Sequence, residues 1–255
     1  MTNSLFEQLR GCRRAALTLA VLALIPAASF AGDKFPGILK DRGLGDRVGP
    51  PLAYQQWSAN WYQWAFSMPL NHSPLFDTAD CKTGQAGSVW FLAGAADGQP
   101  KSRNCTVPSG TSLFFPLINA EFSDLEQFGN TDRELRSQAQ SAGNLILTDA
   151  NKLFATLDGV PILNLAQYRE ESPLFNFGPL PPNNMITYFC VQQGEGCPAA
   201  PAGAKGISVA DGVYLMLSPL SPGTHTLRFH AELDLSQFNA PNFKQDITYH
   251  LTVTP

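Results

Sequence analysis

The stretches His-Thr-Leu-Arg-Phe-His-Ala-Glu-Leu (225–233) and Asp-Ile-Thr-Tyr-His-Leu-Thr-Val-Thr (246–254) decide the fold. In the first, Leu227, Phe229, Ala231 and Leu233 alternate with Arg228, His230 and Glu232. In the second, Ile247, Tyr249, Leu251 and Val253 alternate with Asp246, Thr248, His250 and Thr252. A side-chain period of two belongs to a β-strand, and apolar-polar alternation marks a strand with one face on a core and one in water. Working outward, the runs 88–93 (SVWFLA), 104–107, 111–118 (TSLFFPLI), 153–157, 185–191 and 212–217 also read as strands. Pro108-Ser109-Gly110, Asp158-Gly159, the segment 179–184 and Ser221-Pro222-Gly223 supply turns between them. The expected class is all-β: a two-sheet antiparallel sandwich of Greek-key or jelly-roll type, with helices packed outside.

Two helices interrupt the strand pattern. Residues 51–68 (PLAYQQWSANWYQWAFSM) place Tyr54, Trp57, Trp61, Trp64 and Met68 at steps of three and four, so an aromatic stripe runs down one helical face. Pro51 suits a first turn and Pro69 stops the helix. A stripe of this kind docks a helix onto a sheet, and exposed indole faces would instead form a platform for sugar rings. The second helix is expected over about 131–142, where Thr131 and Glu134 form a capping box. Leu135, Ala139 and Ala142 follow at helical spacing, with Gly143 as the stop.

The N-terminus reads as an export signal. Arg10, Arg13 and Arg14 precede an apolar run from Ala15 to Ile25, Pro26 breaks it, and Ser29-Phe30-Ala31 suits a signal peptidase. Residues 1–31 are therefore expected to be removed, 32–50 to form an extended lead-in, and 51–255 to make a single domain. The apolar run is too short to span a bilayer, which requires roughly 20 residues. A lipid anchor needs a cysteine after the run, whereas Cys12 precedes it. Export thus points to the periplasm or the medium. Loss of Arg10, Arg13, Arg14 and Glu7 takes the net charge from −4 to −6, and no Lys/Arg cluster remains, so nucleic acid is an unsuitable partner.

Four cysteines outlast the signal: Cys81, Cys105, Cys190 and Cys197. An even number in an exported chain reads as disulfides, and the sequence-local pairing, Cys81 with Cys105 and Cys190 with Cys197, is the expected one. No C-x-x-C spacing suggests zinc, and no metal site is assigned.

Taken as blocks, WSANWYQW, GSVWFLAG, CTVPSGTSLFFPLINAE, LDGVPILNLAQYREESPLF and ADGVYLMLSPLSPGTHTLRF resemble a group of uncharacterised exported bacterial proteins, over nearly all of the mature chain. The resemblance implies export and implies no activity, cofactor or catalytic residue.

Oxygen ligands crowd the exit of the 111–118 strand: Asn119, Glu121, Ser123, Asp124 and Glu126. Such a cluster suits Ca²⁺, or a carboxyl pair in which one member stays protonated as a general acid. Glu121 and Asp124 are the candidate catalytic residues. Asn119, Arg169 and Asp211 are the candidate ligand-binding residues, and Asp158 and His225 are further polar groups without an assigned place. The four histidines lack the i, i+4 spacing of a helical zinc motif, G-x-S-x-G is absent, and no glycine cluster forms a nucleotide loop. The leading expectation is a non-catalytic module that binds an extracytoplasmic ligand or surface. The alternative is a secreted hydrolase or lyase acting on a polysaccharide-like polymer through Glu121 and Asp124, and a third reading is a subunit of an envelope assembly.

Overall fold

The computed structural model describes residues 54–148, 150–194, 196–236 and 242–255. The signal and lead-in expected over 1–50 lie outside the described residues, as does the expected helix start at Pro51. Among the described residues ten strands form two five-stranded sheets. The first contains β1 (Val89–Phe91), β3 (Ser112–Ser123), β8 (Gly206–Leu217) and β6 (Arg169–Glu171) in that order, with β7 (Phe175–Phe177) also on β8. The second runs β2 (Lys101–Pro108), β10 (Phe243–Thr254), β9 (Gly223–Leu233), β4 (Phe154–Leu157) and β5 (Val160–Pro161).

The alternation of 225–233 and 246–254 does what the period of two requires. β9 and β10 pair antiparallel with Phe229 opposite Ile247 and Leu227 opposite Tyr249, all four fully buried. This face meets Leu113, Phe115, Val213, Leu215 and Leu217 of the first sheet in one core, where Phe115 stacks on Phe229 at 5.0 Å. The opposite face of β9 and β10 carries Thr224, Thr226, Arg228, His250 and Thr252, all exposed.

The sheets are mixed rather than antiparallel throughout. β1 runs parallel to β3, and β2 runs parallel to β10. The reason lies in the connections. The Pro108-Ser109-Gly110 turn carries the chain from one sheet to the other instead of closing a hairpin, so neighbours in sequence are not neighbours in a sheet. Asp158-Gly159 does close a hairpin: Leu157 pairs with Val160, and both loop residues have positive φ (52° and 78°), the geometry of a type I′ turn.

Helix α1 (Tyr54–Phe66) lies on the outer face of the first sheet. Trp61 and Trp64 are buried and Trp57 is half-buried, so the aromatic stripe packs as expected. Burial extends past the stripe to Ala59, Tyr62, Ala65 and Phe66, because β7 and the segments around it cover a second flank. The indole N–H groups of Trp61 and Trp64 donate to the carbonyls of Leu92 (3.0 Å) and Thr83 (3.1 Å), and the Tyr54 hydroxyl accepts from the Met216 N–H (2.6 Å). Each of these polar handles is thereby satisfied inside an apolar layer.

Helix α2 (Asp132–Leu147) has the expected capping box, with Thr131 Oγ1 accepting from the Glu134 N–H at 3.3 Å and Glu134 accepting from Thr131. It does not stop at Gly143. A Cβ built there would sit 2.3 Å from Asp211 Cγ, so this glycine permits close approach of helix to strand rather than termination. Leu135, Ala139 and Ala142 pack with Phe122 and Val209, extending the layer opposite the first sheet beyond the second sheet's reach.

Residues 185–191 correct a second expectation. They form helix α3 (Met185–Thr187) followed by a π-turn (Tyr188–Gln192), not a strand. Asn184 caps the turn by accepting from the Thr187 N–H at 2.9 Å, and the Cys190–Cys197 disulfide ties its far end. Local capping and the cross-link override the β-propensity of these residues. The other disulfide joins Cys81 to Cys105, so both expected pairings are present.

Candidate functional site

A bulge in β3 between Pro116 and Ile118 controls where the candidate residues go. Before it Leu113 and Phe115 face the core and Phe114 faces α1. After it Ile118 and Phe122 face inward, and the odd-numbered Asn119 and Glu121 turn to the α1 side. Glu121 stands opposite Ala210, while Asp211 stands opposite Ala120 on the other face. Glu121 and Asp211 are thus separated by the sheet.

On the α1 side, the carboxyl groups of Glu121 and Glu126 are hydrogen-bonded to each other. Ser208 donates its hydroxyl to Glu121, and Ser123 Oγ donates to Glu126 at 2.5 Å. Burial, and then the Glu121 charge, push the Glu126 carboxyl well above the usual carboxylate range. Burial also raises the Tyr62 and Tyr214 hydroxyls, which feel Glu121 from α1 and β8. Asp124 is engaged by backbone. Its Oδ1 accepts from the Ile207 N–H at 2.9 Å, while its own N–H donates to the Ile207 carbonyl. Among the described residues no group of three or more His, Cys, Asp or Glu is placed to hold a metal ion.

On the other face, Arg169 and Asp211 do come together. Arg169 donates Nε to Oδ1 (2.9 Å) and Nη2 to Oδ2 (2.7 Å) of Asp211, a bidentate pair on a carboxylate that is 1% exposed. Burial raises the Asp211 carboxyl despite Arg169, and the Asp211 hydrogen bonds hold Arg169 protonated. Arg169 reaches on to Asn144 Oδ1 (2.7 Å) and the Gln140 carbonyl (3.2 Å) of α2.

The surface here is a shallow, open depression of about 450 Å³ lined by Gln140, Asn144, Arg169, Glu171 and Asp211. A second depression of about 380 Å³, lined by Gln55, Gln56, Arg136, Glu171, Ser172 and Pro173, shares Glu171 with it. Together they form one polar groove between α2, β6 and the start of α1. Arg136 bonds Glu171, Asp132 (2.6 Å) and the Ser172 carbonyl (3.2 Å), so both guanidinium groups already have anionic partners.

Glu171, Arg136, Gln140 and Asn144 were not among the sequence-derived candidates. A signal for three of them existed: Arg136, Gln140 and Asn144 recur every four residues, a polar stripe beside the buried one on α2.

Asp158 and His225, unplaced by sequence, meet each other at the end of the second sheet, far from Glu121 in the topology, with His225 Nδ1 2.7 Å from Asp158 Oδ2. Compared with known proteins, the chain matches no family model, no curated protein and no solved structure. Among the described residues no helix is long and apolar enough to cross a membrane.

Proposed function

We propose that this chain is an exported, non-catalytic binding module whose ligand occupies the groove between α2 and β6. The observation that carries the reading is the state of the groove's charges: Arg169 is held by Asp211 and Arg136 by Glu171, leaving no unpaired charge among the described residues that line it to attract an ion. What the groove offers a ligand is the amide side chains of Gln55, Gln56, Gln140 and Asn144 around a fixed polar floor. Amides that both donate and accept suit a neutral, hydroxyl- or amide-rich chain such as a polysaccharide. Export rests on the signal-like N-terminus, with which the two disulfides are compatible.

The alternative, a hydrolase or lyase using Glu121 and Asp124, draws less support. Paired glycosidase carboxyls stand roughly 5 to 9.5 Å apart, whereas the carboxyl partner of Glu121 is Glu126, in direct hydrogen bond, and Asp124 is engaged by backbone.

The test is a screen of neutral and acidic oligosaccharides by glycan array, followed by calorimetry on Gln140→Ala and Gln56→Ala. A bound neutral glycan whose Kd rises about tenfold in either variant, at unchanged melting temperature, is the expected outcome. A glycan bound equally well by both variants would place the site elsewhere, and turnover of any glycan, lost in Glu121→Gln, would favour the enzyme.

A further inference from the structure

His225 has the parity of the core-facing residues Leu227 and Phe229, and it lies at the rim where β9 begins, its side chain only 14% exposed. Both ring nitrogens meet acceptors. Nδ1 lies 2.7 Å from Asp158 Oδ2, and Nε2 lies 2.9 Å from the backbone carbonyl of Ser221. A neutral imidazole carries one N–H, so one of these contacts would set lone pair against lone pair, and the observed geometry is that of the imidazolium. The Ser221 hydroxyl stands just beyond, 3.5 Å from Nε2, on the turn between β8 and β9.

Asp158 is the charged group facing the ring. It is anchored independently, with Oδ1 accepting from the Thr226 N–H at 2.7 Å and its own N–H donating to the Thr226 carbonyl at 2.8 Å. When the ring loses a proton, the one shared with a carboxylate is retained and the one on Nε2 leaves. A carbonyl at 2.9 Å then faces a lone pair, and the hydroxyl of the same residue is the nearest donor.

We propose that Asp158, His225 and Ser221 form a protonation switch. In the charged state His225 clamps the Ser221 carbonyl to the β4–β5 hairpin, and in the neutral state its Nε2 accepts a hydrogen bond from the Ser221 hydroxyl instead. The turn over residues 218–223 is the element that changes between them, while the Asp158–Thr226 bonds persist. Burial alone would lower the imidazole, but the Asp158 hydrogen bond, the Ser221 carbonyl and the Asp158 charge outweigh it and raise the ring above its ordinary range. The clamp is therefore complete below about pH 6.5 and is lost as pH rises through the raised value, a window an exported protein meets.

The neutral state has the connectivity of a Ser-His-Asp triad. Ser221 is exposed, however, and neither depression of the polar groove reaches it. The arrangement is assigned to switching, not to chemistry.

The experiment is a nitrogen-15 NMR titration of the His225 ring in the full mature chain, with Asp158→Asn, Ser221→Ala and His225→Gln as variants. The expected midpoint lies above about 6.5, and the neutral ring is expected to carry its proton on Nδ1, the tautomer less favoured in water. Asp158→Asn is expected to return the midpoint to about 6.5 or below. Ser221→Ala, which removes only the neutral-state partner, is expected to raise it by about half a pH unit. Amide protection of the 218–223 turn is expected to fall through the same midpoint, and His225→Gln is expected to abolish that dependence. A neutral ring protonated on Nε2, or a Ser221→Ala midpoint equal to that of wild type, would overturn the switch. Hydrolysis of p-nitrophenyl acetate that Ser221→Ala abolishes would overturn it in favour of a nucleophile.

Discussion

Glu126 is a buried acid whose nearest charged neighbour is another acid, and its proton is therefore part of the fold. Because its folded-state value is raised, the native chain binds that proton more tightly than the unfolded chain does. Stability then declines as pH rises from the ordinary glutamate value through the raised one, and the full cost is present above it. Glu126→Gln removes the ionisable member while keeping a hydrogen-bonding side chain. The variant is expected to melt higher than wild type at about pH 8, with the difference shrinking toward about pH 4, as read by a thermal melt at each pH. Every kcal/mol recovered would raise the melting temperature by about 2 to 4 °C in a domain of this size. Arg169 behaves oppositely. Replacing it by Met strands Asp211 at 1% exposure without its cation, an expected loss of about 3 to 5 kcal/mol by chemical denaturation.

At the scale of elements, α1 and α2 are held by different means. α1 is fastened by bulk: Trp61 is 3% exposed and its indole N–H is satisfied, so Trp61→Ala is expected to cost about 3 to 5 kcal/mol in a urea titration. α2 is fastened by fit, through small residues and the absence of a side chain at 143. Gly143→Ala gains about 1 kcal/mol of helix propensity in isolation. Here the added methyl meets the Asp211 carboxylate at 2.3 to 2.4 Å, and a net loss of stability with partial opening of the Arg169–Asp211 pair is the expected result. The two ends of α2 were legible in the sequence to different degrees. Thr131 and Glu134 are neighbours along the chain and their cap is local, whereas the role of Gly143 depends on a strand that lies more than sixty residues away in sequence.

Across the whole molecule, the disulfides fasten segments that surround the sandwich. Cys81–Cys105 closes 24 residues and anchors the segment before β1 to an edge strand, and Cys190–Cys197 closes 7. Chain-entropy arguments assign about 3 kcal/mol to the first and about 2 kcal/mol to the second. Cys81→Ser/Cys105→Ser is therefore expected to lower stability more than Cys190→Ser/Cys197→Ser, and non-reducing peptide mapping of the wild type is expected to yield these two cross-links alone. The sequence by itself determined the strands of 225–233 and 246–254, the two helices and the cap at Thr131, because periodicity and capping are properties of neighbouring residues, while among the three possible cysteine pairings it favoured the local one that the structure shows. The strand misread at 185–191 shows the limit of that reasoning, since a cap and a cross-link outweighed β-propensity there. Only the tertiary structure decided which charges meet. One extra residue at the β3 bulge sends Glu121 to the α1 side, away from Asp211. Arg169 finds its partner 42 residues away, and Asp158 and His225 meet across 67, and such encounters follow from sheet order and register, which no local pattern encodes.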